Sequence, residues 1–68
     1  MTALRSYILD DVTEIIVSTG ENADYLHFGV TTEEYSSHFT LRLRSAEALE
    51  HFLLQATEEA GGQVVDRS

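Results

Sequence analysis

The sequence contains no cysteine, no proline, no tryptophan and no lysine; its only strong bases are Arg5, Arg42, Arg44 and Arg67. Without cysteine there is no disulfide and no thiolate ligand for zinc. The longest apolar runs, Ile15-Ile16-Val17 and Phe52-Leu53-Leu54, fall far short of the ~20 residues that a bilayer-spanning helix needs. The start, Met1-Thr2-Ala3-Leu4-Arg5, has no apolar stretch of the kind a secretory leader carries, so no export leader is expected and a cytoplasmic location is. With 68 residues there is room for a single small domain over 1–68 and none for separate cofactor and substrate domains.

Acid is what the chain has in excess. Twelve Asp and Glu against four Arg leave a formal charge of −8. Such a chain repels phosphate backbones and anionic membrane surfaces, so neither direct nucleic-acid nor membrane binding is expected. It attracts basic partners by electrostatic steering. The hydrophobic fraction of 43% and the abundance of Val, Ile, Thr and aromatics argue for a folded domain and not an acidic disordered tail.

Periodicity predicts an α+β domain: an antiparallel meander of three or four strands followed by one helix packed on one face. From Tyr25 to Thr31, Leu26, Phe28 and Val30 alternate with Tyr25, His27 and Gly29; over 37–44, Phe39, Leu41 and Leu43 alternate with His38, Thr40, Arg42 and Arg44. The short link makes these an antiparallel hairpin. Keeping both apolar sets on one face leaves two registers, Phe28 opposite Phe39 or Phe28 opposite Leu41. Residues 14–18 read as a preceding strand. Residues 5–9 read as a weaker one, with Asp10-Asp11 as the turn between them. Ser45 is the expected helix N-cap, with Glu47 in the first turn. Leu49, Phe52, Leu53, Ala56 and Ala60 form the expected core stripe and Gly61 the stop. Residues 62–68 read either as a flexible polar tail or as a short extra strand through Val64-Val65.

No catalytic constellation stands out. The pairs Asp10-Asp11, Glu33-Glu34 and Glu58-Glu59 sit at turns or a helix end, where carboxylates face water instead of dividing acid and base roles in a cleft. There is no phosphate-cradling glycine loop and no nucleophile elbow. His27 and His38 share one face of the hairpin, yet a structural metal site needs four well-placed ligands and no cysteine or helical His pair completes the set. No cofactor, metal or enzymatic activity is expected. His51 reads as solvated.

Two surfaces remain. One is acidic, with Glu47, Glu50, Leu54 and Glu58 on the outer side of the helix and Glu33 and Glu34 in the hairpin turn. Leu54 among carboxylates suits an anchor for a basic groove. The other is the outer sheet face, with Ile16, Tyr25, His27, Thr40, Arg42 and Arg44 and either Tyr7 or Ile8, a mixture of the types enriched at interface cores. A core this small gains from self-association, and a self-complementary sheet face gives a two-fold homodimer. Charge is also segregated along the chain: −6 over 1–34, +2 over 35–46 and −4 over 47–68. The expected function is a non-enzymatic acidic interaction module whose partner is a protein with a basic surface. By size and charge, and by no motif, it resembles the inhibitors that phages make against bacterial defence proteins, which implies a small inhibitor filling a nucleic-acid-binding site. The alternative is a structural or accessory subunit that dimerises through its sheet face.

Overall fold

The computed structural model describes residues 3–20 and 22–67. Five strands and one helix follow in the order β1 (Ala3–Ile8), β2 (Glu14–Thr19), β3 (Tyr25–Thr31), β4 (Ser36–Arg42), α1 (Leu43–Glu59) and β5 (Gln63–Asp66). They form one antiparallel sheet in the order β4-β3-β2-β1-β5, with α1 packed across one face. The α+β meander with a C-terminal helix is therefore the architecture expected. It gains a fifth strand because Val64 and Val65 pair with Tyr7 and Ser6. The strand reading of the C-terminal segment is thus the one found over Gln63–Asp66, and the segment is no flexible tail there.

The central hairpin adopts the register that sets Phe28 opposite Phe39 and Leu26 opposite Leu41. The two phenyl rings stack with centroids 5.2 Å apart and planes 4° from parallel. This contact selects between the two registers that the apolar pattern left open, since aromatic pairs directly across a ladder add to sheet stability. The core is Tyr7, Val17, Leu26, Phe28 and Ala46, with Ile15, Leu41, Leu49, Leu53 and Val64 packed against it.

Two details of the helix differ from expectation. It begins at Leu43, preceded by Arg42 in extended conformation with no side-chain cap. The β3–β4 ladder runs straight into it, because the Leu43 amide still donates to Asp24 O at 2.8 Å. Ser45 therefore lies inside the first turn instead of capping it, and Glu47 lies beyond that turn. Arg44 is on the helix and not on the sheet face. The packed stripe is also rotated by one position: Ala46 and Thr57 are buried, Leu49, Glu50 and Leu53 half-buried, and Phe52 stands 67% exposed. An apolar-only stripe misses this face because two of its members are polar. Thr57 satisfies its hydroxyl on Leu53 O at 2.7 Å, and Glu50 accepts from the Tyr7 hydroxyl.

The helix stops as expected. Gly61 has φ +72°, a conformation that costs residues with a Cβ, and the Gly61 and Gly62 amides donate back to Glu58 O and Thr57 O. Gly62 then passes so close to β1 that an added Cβ would lie 2.1 Å from Ile8 O. This approach is what lets the chain turn from α1 into β5.

Candidate functional site

The meander places two connections at the same end of the sheet. Residues 9–13 link β1 to β2, and residues 32–35 link β3 to β4; both follow the row in which Ile8, Glu14, Thr31 and Ser36 pair in succession. The C-terminus of α1 arrives there too, since Gly61, Gly62 and Gln63 line a hollow with Asp10 and Asp11. Asp10, Asp11, Glu33, Glu34, Glu58 and Glu59 are thus gathered at one end, and all are exposed.

Of these, Asp10 is committed to the fold. Its Oδ1 accepts from the Val12 and Thr13 amides at 2.9 Å each, closing the turn. The Val12 bond is the main reason that its carboxyl is held below the ordinary aspartate value. Among the described residues no hydrogen bond or ion pair occupies the carboxylates of Asp11, Glu33, Glu34, Glu58 and Glu59.

The arginines lie toward the opposite end. Arg42 closes β4 opposite Tyr25, Arg44 is in the first turn of α1, Arg5 pairs with Asp66, and the Arg67 amide donates to Leu4 O. The Arg67 side chain reaches back over the sheet, with Nε donating to Ser6 Oγ at 2.6 Å and a guanidinium nitrogen 3.7 Å from Glu14. The turn end gathers six exposed carboxylates, whereas at the other end the arginines are mixed with Asp24 and Asp66. The helix macrodipole runs between these ends, with its positive N-terminus at the arginine end and its negative C-terminus among Glu58 and Glu59.

The acidic residues singled out from the sequence therefore divide. Glu33, Glu34 and Glu58 join the turn end. Glu47 and Leu54 flank a shallow hollow with Arg5, Glu50 and His51 along the side of the helix. Glu50 is not a free surface carboxylate, because it faces the sheet and accepts the Tyr7 hydroxyl at 2.8 Å. The sequence marks Asp10 and Asp11 only as turn residues. Their place beside Gly61 and Gly62 depends on the β5 crossover, which brings the helix end against the first turn.

On the outer sheet face the register brings together most of what was expected. Tyr25 lies opposite Arg42, whose guanidinium carbon is 6.0 Å from the ring centroid, and His27 lies opposite Thr40. Ile16 lies opposite Gly29, which in turn faces His38. Of the two β1 candidates, Ile8 is on this face and Tyr7 is fully buried in the core. The two histidines do not converge. His27 Nδ1 is 2.9 Å from Thr40 Oγ1, and its ring fills the space where a Cβ on Gly20 would be. His38 sits against Gly29. A hollow lined by Ile16, Ser18, His27, Gly29 and His38 results from the missing side chain at Gly29. Among the described residues no group of three His, Asp or Glu is placed to hold a metal, and no helix is long and apolar enough to cross a membrane. No family model, no curated protein and no solved structure matches the chain.

Proposed function

We propose that the protein is a non-enzymatic interaction module that docks its carboxylate-bearing end on a basic surface of a protein partner. The carrying observation is the electrostatic cost of that end. Glu58 and Glu59 occupy the last turn of α1, which contains no base, and Arg44 occupies the first turn, which contains no acid. Each of these charges opposes the helix dipole by roughly 0.3–1 kcal/mol at an exposed site. A sequence selected only for folding would place them the other way round. Charge that weakens the fold yet is concentrated with Asp11, Glu33 and Glu34 supports a role outside the fold.

Carboxylates grouped on a rigid turn end resemble a short run of phosphates in charge. The proposed partner site is accordingly one that otherwise takes nucleic acid, and the action proposed is inhibition by occupancy, as with phage anti-defence proteins. The test is affinity capture of basic proteins from a bacterial lysate at low and high salt. Salt-sensitive retention of a nucleic-acid-binding protein, displaced by DNA or RNA, is the expected result. Absence of any basic protein at low salt overturns the proposal.

A second reading, an accessory subunit that self-associates, is favoured by a separate observation: among the described residues, both edge strands, β4 and β5, lack an outer strand and one face of the sheet has no covering helix.

A further inference from the structure

The sheet ends on β4, a seven-residue strand paired with β3 without a bulge along its whole length. Exposed edges are normally blunted by shortness, by a bulge, by proline or by a charge pointing inward. The opposite edge follows that rule, since β5 has four residues and ends in Asp66. β4 is longer, has neither bulge nor proline, and its one formally charged residue, Arg42, stands at its end on the outer face.

The bonds at the two ends of the β3–β4 ladder fix which backbone groups of β4 face outward. Thr32 N–H donates to Tyr35 O at one end and Leu43 N–H donates to Asp24 O at the other. Hydrogen-bonded pairs alternate along an antiparallel ladder, so Ser37, Phe39 and Leu41 direct their backbone groups toward β3. The amides of Ser36, His38, Thr40 and Arg42 then point away from the sheet.

The same segment carries an apolar row. Tyr35, Phe39 and Leu43 are 68%, 40% and 41% exposed, evenly spaced and centred on Phe39. A row symmetric about its midpoint is complementary to itself when reversed. Flanking it, Glu34 precedes Tyr35 and Arg44 follows Leu43, so the charges are antisymmetric about the same centre. Residues 35–46 contain no acid, which makes this edge the place where two copies of a −8 chain repel least.

We infer that two copies of the chain pair antiparallel along β4, about a two-fold axis at Phe39, merging their sheets into one. In this register Thr40 lies opposite His38 of the second copy and Arg42 opposite its Ser36, so outward amides meet outward carbonyls. Phe39 meets its own copy in a non-hydrogen-bonded pair, where side chains come closest, and extends the Phe28 stack across the axis. Tyr35 covers Leu43 of the second copy, and Glu34 lies beside its Arg44. Both copies keep Asp10, Asp11, Glu58 and Glu59 at the far ends, so the dimer would present two acidic ends. This inference does not depend on the basic-partner reading, and its test involves no partner protein.

The experiment is light scattering after size exclusion on the full chain, up to about 1 mM, with Thr40→Pro, Glu34→Arg, Arg44→Glu and the combined charge swap. Proline at Thr40 removes an outward amide and the exposed side-chain bond to His27 but no ladder bond to β3, so the variant keeps its far-UV spectrum and becomes monomeric. Each single charge reversal weakens the dimer by roughly fivefold per ion pair, and the double swap restores it. The charge series decides the matter even if the proline variant does not fold. A chain that stays at the monomer mass of 7.6 kDa throughout overturns the inference, as does a dimer for which the swap gives no rescue.

Discussion

The Tyr7 hydroxyl donates a 2.8 Å hydrogen bond to Glu50 Oε2, joining the end of β1 to the middle of α1 across 43 positions of sequence. Burial is the largest influence on Tyr7 and pushes its hydroxyl above the ordinary tyrosine value; the Arg5 guanidinium pulls it down, and Glu50 pushes it up. A raised value means that the folded state holds this proton more tightly than the unfolded chain does. The contribution is complete below the ordinary tyrosine value of about 10 and is lost as pH rises through the folded value. Tyr7→Phe is expected to cost about 1–2 kcal/mol in urea unfolding at neutral pH and to remove this alkaline loss of stability. Tyr7→Phe with Glu50→Leu should recover most of the cost, since neither partner is then left unpaired.

Asp10 titrates in the opposite sense. Its carboxyl is held below the ordinary value chiefly by the Val12 amide, with Thr13 adding to the effect. The stability it supplies is present above the ordinary aspartate value of about 3.9 and is lost as pH falls through the folded value. Asp10→Asn keeps an acceptor for the turn but removes the charge. Acid unfolding followed by circular dichroism should therefore show a flatter stability profile for the variant below about pH 4.

The two adjacent glycines should respond differently to alanine. Gly61 lies at φ +72° with open space around its Cβ position, so Gly61→Ala carries only the left-handed backbone cost, about 1 kcal/mol. At Gly62 the Cβ would fall 2.1 Å from Ile8 O, a backbone atom that cannot swing aside. Gly62→Ala should cost more, about 2–3 kcal/mol, by forcing β5 off β1. Thermal unfolding of the two variants checks the order, and a loss of amide protection confined to β5 and β1 in Gly62→Ala checks the cause.

The alternation of Leu26, Phe28 and Val30 and of Phe39 and Leu41 made the central hairpin legible in the sequence, as it did the outer-face neighbours Tyr25, His27, Thr40 and Arg42. Gly61 marked the helix end for a local reason, its backbone conformation. What was not legible depended on contacts distant in sequence. The strand-to-helix junction at Leu43 hides in a pattern that alternates as a strand through Arg44. The helix face includes two polar residues, Glu50, half-buried with the Tyr7 hydroxyl donating to it, and Thr57, buried with its hydroxyl donating to Leu53 O. The nearness of Asp10 and Asp11 to the Gly61-Gly62 end of α1 required the β5 crossover, which a four-residue strand of mixed polarity announces weakly.

The most direct measurement is a paired one on Glu58→Lys with Glu59→Lys: thermal stability of the isolated chain, and capture of the basic partner at low salt. These exposed residues oppose the helix dipole, so their reversal is expected to raise stability by roughly 0.5–2 kcal/mol while capture is lost. A variant that captures the partner as well as the parent chain, or that is less stable than it, contradicts the claim that this end is acidic for the sake of binding.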